Sequence, residues 1–422
     1  MNINSFYHWF FAFVGNIIYG FPSRRIYVVG VTGTKGKSTT VELMGAIFEA
    51  AGEKTAVLSS ITRKIGSKRE KNMTGNTMPG RFAIQKFLHD AVRAGCTYAF
   101  IEVTSQGVLQ HRHEFIDWNA AVFLNLAPEH IESHGSFEAY RAAKVSFFEY
   151  VARSPKKERL FLVNEADASA KYFEDSVRHN YGNAIIRFSG EEFLRKELAA
   201  RYDLRSEKVR AELGEWLLAE FNLENAAAAA SLATARKVHW EAIEKALVGF
   251  EGVSGRLEVV QRKPFTVVVD YAHTPDSLRK VYTTLRRDFL VHPHEGSLIA
   301  VLGSAGGGRD KWKRPEMGRV AGEICSSIVL TNEDPYDESP REIMKEIKNG
   351  ILSTSFSPAN LFEIVDRKEA IIKAIMLAEK GDVVVMTGKG SESWIHGARG
   401  EKIPWNEREM AEAALREMKN KE

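Results

Sequence analysis

Two α/β domains in series are predicted. The first has a mostly parallel sheet built around a glycine-rich turn, and the second, at the C-terminal end, is Rossmann-like. Three observations carry this reading. Val28-Val29-Gly30-Val31-Thr32-Gly33-Thr34-Lys35-Gly36-Lys37-Ser38-Thr39-Thr40 joins an apolar β-branched run to a glycine turn and then to helical periodicity. Further short apolar runs, at 98–101 and 120–126, end in polar residues as buried parallel strands do. After Gly252-Val253-Ser254-Gly255-Arg256 the alternation starts afresh, and strands again run into polar, glycine-bearing loops.

Residues 5–21, SFYHWFFAFVGNIIYGF, come first. The run is short for a spanning helix and is interrupted by His8, Gly15 and Asn16. It lacks the basic start and cleavage site of a signal peptide. Two readings stand: a helix packed on the next domain, or an interfacial helix on a membrane with Arg24 and Arg25 near lipid phosphate.

Strand 26–31, the glycine turn, Lys37-Ser38 and the helix from about residue 41 together make a P-loop, G-x-x-G-K-S. Glycines let backbone N–H groups approach phosphate oxygens, and a helix N-terminus adds positive potential. Lys37 is placed for the β/γ-phosphates and Ser38 for Mg²⁺. Val31 stands where the usual pattern has its first glycine.

Residues 55–58 read as a strand, followed by a polar loop carrying Arg63, Lys64, Lys68, Arg69 and Lys71. Such a charge run is ordinarily solvated, and here it has the alternative of facing an anionic substrate. Asn76-Thr77-Met78-Pro79-Gly80 opens a helix to about residue 94. The strand 98–101 ends in Glu102, at the sheet edge where α/β proteins place ligands, which makes Glu102 a candidate Mg²⁺ ligand. Strand 120–126 leads to Glu129-His130-Ile131-Glu132-Ser133-His134. Ile131 follows His130 where the metalloprotease motif needs glutamate. Helical periodicity resumes at Phe137 and carries Lys144, which taken alone is a solvated lysine. Residues 160–164 form another strand, 170–215 read as small antiparallel strands and loops, and an alanine-rich helix and a second helix reach residue 250. In the last part, strands at 265–270, 298–302, 328–331 and 383–386 lead into Asp270-Tyr271-Ala272-His273, Gly303 to Asp310, Asn332-Glu333-Asp334-Pro335-Tyr336 and Gly388-Lys389-Gly390-Ser391-Glu392.

At 422 residues with a net charge of +3, the chain is long enough for two or three domains and offers no electrostatic case for nucleic acid. Cys96 and Cys325 have no metal-ligand spacing, and a reducing cytoplasm is the expected compartment.

The motifs GVTGTKGKSTT, NTMPG, EVTSQG, Gln110-His111-Arg112, NLAPEHIESHGSFEAYRAAK, FNLEN, GRLE, VVVDYAHTPDSL, GSAGGGRDKWKRP and GKGSES occur in this order from about residue 26 onward. In these the chain resembles the Mur ligases, and within them the MurE branch. That branch adds the third amino acid to UDP-MurNAc-L-Ala-D-Glu at the expense of ATP. Residues 1–24 read as an N-terminal apolar helix from their composition. The resemblance implies a central ATP-binding domain over 25–253 and a Mur ligase C-terminal domain over 254–422. It implies ATP contacts from Gly33, Thr34, Lys35, Gly36, Lys37, Ser38, Thr39, Asn225, Arg256, Asp270 and His273. Mg²⁺ would be held by Ser38, Glu102, His130 and a carbamylated Lys144, and Lys37, Lys144, His130 and Glu102 would form the catalytic group. Asn76, Thr77, Met78, Ser105, Gln110 and Arg112 would meet the muramoyl-dipeptide, while Arg309, Glu333, Asp334, Tyr336, Gly388 and Glu392 would meet the free amino acid.

Two departures stand out. Only about 25 residues precede the P-loop strand, so the family's N-terminal uridine-binding domain is expected to be missing. Diaminopimelate-type members carry Asp-Asn-Pro-Arg where this chain has Glu333-Asp334-Pro335-Tyr336, which removes the guanidinium fork for a distal carboxylate. Gln106 and Ser391 also stand where histidine is usual. The expected reaction is amide ligation through an acyl phosphate by a monomer acting on a muramoyl-dipeptide and a free amino acid. A folylpolyglutamate- or polyamide-type ligase on the same core is the rival enzyme. A non-catalytic nucleotide-binding scaffold would have lost Lys37, Glu102 or Lys144, and all three are present.

Overall fold

The computed structural model describes residues 3–72, 77–129, 131–203, 206, 216–217, 219–289, 296–308 and 311–419. It divides into two compact units, Met1–Glu251 and Gly252–Glu422.

The first unit holds β1 (Tyr27–Thr32), β2 (Thr55–Leu58), β3 (Thr62–Ile65), β4 (Lys68–Lys71), β5 (Tyr98–Val103), β6 (Ala120–Phe123), β7 (Leu160–Asn164) and β8 (Ile185–Phe188). They form one sheet in the order β4-β3-β2-β5-β1-β6-β7-β8. From β2 to β8 every pairing is parallel, while β3 and β4 are antiparallel additions at the edge. The P-loop strand β1 is thus central. Its residues alternate between two cores, because a strand's side chains point to opposite faces. Val29 and Val31 pack with Val41, Met44 and Ile47 and the helix Glu220–Ala235. Val28 packs with Ile84, Phe87, Trp118 and Phe147. Gly30 is a packing requirement: a Cβ there would lie 2.3 Å from the Phe147 ring, so the strand and that ring meet only across a bare backbone.

Helices α1 (Ile3–Ile18), α2 (Lys37–Ala50), α3 (Arg81–Arg93), α4 (Ser105–Leu109), α5 (Ile131–His134), α6 (Phe137–Ala152) and α7 (Ala170–Tyr181) cover the sheet and its edges. The α1 helix lies on α3: Phe11 meets Phe82 at 6.1 Å between ring centroids, and Trp9 meets Phe115 edge-on at 5.3 Å. No helix among the described residues is long and apolar enough to cross a membrane.

Two expectations need correction. The polar segment 63–71 is the hairpin β3–β4 and not a loop. Its cations are paired: Arg63 with Asp90, Lys64 with Glu49, Lys68 with Glu70, and Arg69 with Glu42. Charged residues suit an edge strand, since they discourage pairing with another chain. The segment from 170 holds a helix and a parallel strand where antiparallel strands and loops were expected. Phe173 and Val177, one helical turn apart, bury α7 against Phe123 and Phe148. Residues 207–215 lie outside the described residues.

Behind the α1 contact, the ring of His113 is buried against Tyr150 and Phe147, and its Nδ1 has no hydrogen-bond partner. Burial first, and the neighbouring His111 second, lower its pKa from 6.5 to about 3. Between those values the unfolded chain binds the proton and the folded chain does not. The stability from this neutral ring is therefore present above pH 6.5 and lost as pH falls toward 3. His113→Phe should remove a slope of about 1.4 kcal/mol per pH unit over that window. Urea unfolding of both proteins at a series of pH values reads it, and equal slopes would count against the assignment.

The second unit has a sheet in the order β13-β12-β11-β14-β10-β9, made of β9 (Glu258–Gln261), β10 (Thr266–Val269), β11 (Leu298–Leu302), β12 (Ser327–Leu330), β13 (Leu361–Glu363) and β14 (Val383–Met386). Only β9 is antiparallel. A hairpin, β15 (Trp394–His396) and β16 (Lys402–Pro404), follows. Strands β10, β11, β12 and β14 deliver four loops to one sheet edge, as the sequence implied.

Candidate active site

In the first unit the loop between β1 and α2 is shaped by its neighbours. Gly36 caps α2 with φ 85°, in the left-handed region that favours glycine. A Cβ there would also lie 2.2 Å from Asn225 Oδ1. Asn225 comes from the alanine-rich helix and accepts a bond from Thr40 Oγ1 at 3.2 Å. The structure therefore places Asn225 beneath the loop, buried, with its amide also donating to Asn222. Asn125, just past β6, fixes the other side: its carbonyl accepts from Thr34 N, and its side chain binds both backbone groups of Lys35. Lys35 Nζ pairs with Glu129 at 2.9 Å. Thr39 is buried in the first turn of α2.

Two lysine side chains converge on the loop. Lys37 Nζ donates to the carbonyls of Gly33 and Thr34, at 2.9 and 2.8 Å. Lys144 Nζ, from α6, donates to the same Gly33 carbonyl at 2.7 Å. Lys144 is 1% exposed, so the solvated-lysine reading falls. Burial and then the Lys37 charge push its pKa well below the ordinary lysine range. A desolvated amine beside a second cation holds its proton weakly.

Ser38 and Glu102 are joined through Ser60, which follows β2. Ser38 Oγ lies 2.9 Å from Ser60 Oγ, and Ser60 N donates to Glu102 Oε1 at 2.8 Å. Glu102, at the end of β5, is buried. Serine hydroxyls and a carboxylate are hard oxygen donors of the kind Mg²⁺ takes. Among the described residues no group of three or more His, Cys, Asp or Glu side chains is gathered. His130, a candidate ligand, lies outside the described residues. His134 is described and bonds Ser105 Oγ at 3.1 Å, edge-on to Tyr140. Partial burial and then Lys144 lower its pKa, which favours the neutral ring.

The predicted acceptor residues partly assemble. Arg112 donates to the Met78 carbonyl and to Gln110 Oε1. Arg81 clasps the Gln110 carbonyl at 2.9 and 2.7 Å. Gly107 packs on the Met78 sulfur, next to Ser105 in α4. Thr77 is half-buried before α3, and Asn76 lies outside the described residues.

In the second unit, Asp270 accepts from the backbone N–H groups of Leu257 and Ala272, both at 2.7 Å. The Arg256 guanidinium sits 4.1 Å over the Tyr271 ring, and His273 packs on the same tyrosine. Tyr271 OH donates to Glu392, which also pairs with Lys389 at 2.6 Å. Lys389 is fully buried and pairs with Asp334 at 2.8 Å as well. Gly388, at φ 105°, leaves room for Glu333, whose Oε2 would lie 2.3 Å from a Cβ. Burial raises the Glu333 pKa to about 7, and its Oε2 has no hydrogen-bond partner. Tyr336, at φ 50°, donates its N–H to the His396 carbonyl and stacks on the His396 ring at 5.3 Å. Arg309 lies outside the described residues.

Ser60, Asn125, Glu129, His134 and Tyr140 were not singled out from the sequence. The last four sit within the NLAPEHIESHGSFEAYRAAK stretch, whose density of polar residues was the available signal.

Residues 31–233 match the Mur ligase middle domain, and residues 255–390 match the Mur ligase glutamate ligase domain. The chain is 34% identical over 410 residues to a UDP-N-acetylmuramoyl-L-alanyl-D-glutamate--2,6-diaminopimelate ligase of Halalkalibacterium halodurans, covering 96% of this chain and 82% of that one. The chain belongs to the Mur ligase family. Members of this family are ATP-dependent, ADP-forming ligases. A UDP-N-acetylmuramyl-tripeptide synthetase of Roseiflexus sp. is 36% identical, covering 95% of this Mur ligase and 80% of the relative. A solved diaminopimelate ligase of the same name as the first relative superposes with a TM-score of 0.58 at 28% identity, over 93% of this chain and 79% of its own. A folylpolyglutamate synthase of Mycobacterium tuberculosis superposes with a TM-score of 0.63 over 90% and 92% of the two chains; at 14% identity it bears on the fold alone.

Proposed function

We propose that this Mur ligase adds the third amino acid to a UDP-MurNAc-L-Ala-D-Glu-type precursor. The observation that carries it is the convergence of Lys37 and buried Lys144 on one P-loop carbonyl, with Glu102 and Ser38 bridged beside them. Lys37 lies on the loop carbonyls of Gly33 and Thr34, and a P-loop lysine at this position is the one that reaches a nucleotide's phosphates. The relatives at 34–36% identity are named as precursor ligases, which favours that acceptor over folate.

The acceptor carboxylate oxygen attacks the γ-phosphorus, ADP departs, and an acyl phosphate remains. The amine of the incoming amino acid attacks the acyl carbon, loses a proton, and phosphate leaves from the tetrahedral intermediate. Lys37 balances charge on the transferring phosphoryl group, and Arg112 and Ser105 hold the acceptor. Asn225 acts through Gly36 and Thr40 as a positioning residue. Ser38 and Glu102 fit Mg²⁺, with His130 and carbamylated Lys144 as the further ligands the family implies. Bound there, Mg²⁺ would supply charge neutralisation at the phosphates. Carbamylation needs a neutral amine, and the lowered pKa of Lys144 supplies one. ADP release on mixing enzyme, Mg²⁺-ATP, muramoyl-dipeptide precursor and an amino acid tests the reading. Release with a folate acceptor and none with the precursor would overturn it.

In the second unit, Lys389 is already held by Asp334 and Glu392, so it is not spare for a distal carboxylate. Tyr336 carries no charge. Glu333 titrates near neutrality and favours a distal amine when ionised. The amino acid is therefore lysine or another diamine in preference to diaminopimelate, and kcat/KM for lysine should rise as pH passes upward through about 7. A preference for diaminopimelate of about tenfold, near 1.4 kcal/mol, would reverse this reading.

A further inference from the structure

The α1 helix has two apolar faces, and α3 covers only one. On the covered side Ala12 and Asn16 are buried, and Gly15 lies against Phe82 and Gln85. On the other side Phe10 is 44% exposed, Ile17 48% and Ile18 61%, and Phe13, 37% exposed, borders them while its ring packs on Phe115. Spacings of three, four and one residues put these side chains on one stripe of a helix. From Trp9 to Ile18 the helix carries no charge. Directly after it, Arg24 and Arg25 are exposed. Arg24 lies 4.4 Å over the Phe21 ring and 3.3 Å from Asp117. Lys156 Nζ reaches the carbonyls of Arg24 and Ile26. Three cations and one carboxylate thus stand at the end of an uncharged stripe.

We propose that the outer face of α1 docks, lying flat, on an anionic lipid surface. Sixteen residues give a helix of about 24 Å, short of the ~30 Å hydrocarbon core, so the helix fits the interface and not a crossing. Large apolar side chains left in water as a stripe form the kind of patch that marks an interaction surface. Phe10, Ile17 and Ile18 enter the acyl boundary, and Arg25, with Arg24 and Lys156, meets lipid phosphate. Charge selects lipid over a second copy of this chain. Lipid phosphate complements the three cations, whereas a second copy brings the same cations again.

Co-sedimentation of the full chain with vesicles tests the proposal. The protein should pellet with vesicles of mixed phosphatidylglycerol and phosphatidylcholine, and much less with phosphatidylcholine alone or at high salt. Phe10→Ser/Ile17→Ser/Ile18→Ser should lower binding by about tenfold or more. Ile18→Asp alone, at the most exposed position, should lower it several-fold. Arg25→Gln/Lys156→Gln should remove the anionic preference and leave residual binding to neutral vesicles. Thermal unfolding and ADP release on a soluble precursor should stay at wild-type values in the Ile18→Asp variant, which separates docking from folding and from ligase activity. Absence of binding to anionic vesicles, or binding that Ile18→Asp leaves unchanged, would overturn the proposal. A concentration-dependent dimer abolished by Ile18→Asp, without vesicle binding, would assign this face to a second copy instead.

Discussion

Lys37→Ala loses ADP release by about a hundredfold or more while the protein keeps its unfolding transition. Its ammonium donates to two carbonyls of its own loop, and its side chain lies in neither apolar core of the unit. Its loss therefore costs the fold little and costs the phosphoryl transfer a charge that no neighbour replaces. Lys144 donates to the same Gly33 carbonyl but is buried and weakly basic, so it does not take over the role. Single-turnover ADP release together with thermal unfolding gives both quantities. Retention of more than about a tenth of wild-type turnover would sink the P-loop assignment.

Lys144→Ala gives an inactive enzyme that a short carboxylate in solution partly restores. A bare ammonium sealed in α6 and next to Lys37 is disfavoured, and the neutral amine that results is the form that captures CO₂. A carbamate there is an oxygen donor of negative charge beside Lys37, where a cation is not. Acetate or propionate diffusing into the cavity left by alanine supplies such a donor again. Because the alanine variant also leaves a void, Lys144→Met serves as the packing control: it should fold as well as wild type and resist rescue. Rescue of neither activity nor nucleotide affinity by carboxylates, with wild-type mass found at Lys144 in the active enzyme, would remove the carbamate from the scheme.

Much of the parallel framework was legible because each central strand announces itself locally. Residues 26–31, 98–101 and 120–124 carry no polar break, since both faces of those strands are covered. The edge was not legible. In β3–β4 the run Arg63, Lys64, Lys68 and Arg69 reads as solvent-loving, and its strand character comes from pairing and from carboxylates on α2 and α3. In α7 the buried residues Ala170, Phe173 and Val177 do follow helical spacing, but they stand among charges in a mixed stretch whose low overall apolarity reads as loop. The site divides in the same way. Lys37 and Ser38 open α2 after the glycine turn and Glu102 stands at the end of β5, so all three could be named from local pattern. Ser60 joins Ser38 to Glu102 across separations of 22 and 42 residues, and Asn225 reaches Thr40 across 185. Lys144 looked like a surface lysine because α6 has a weak apolar period, and only its burial under the P-loop shows otherwise.

The contact between Gly36 and Asn225 sets a schedule for the growing chain. The loop's sequence emerges from the ribosome early, but its supports come late: Asn125 holds Lys35 across 90 residues, and Asn225 sits beneath Gly36 far later still. Contacts of such separation are slow to form, because the closure entropy of the intervening chain is paid before they reward it. A nascent chain that has displayed the glycine turn but not yet the alanine-rich helix lacks the side chain that fills the space under Gly36. Nucleotide capture during synthesis is thereby tied to completion of the whole N-terminal unit, and ATP becomes a ligand that stabilises finished molecules and passes over half-made ones.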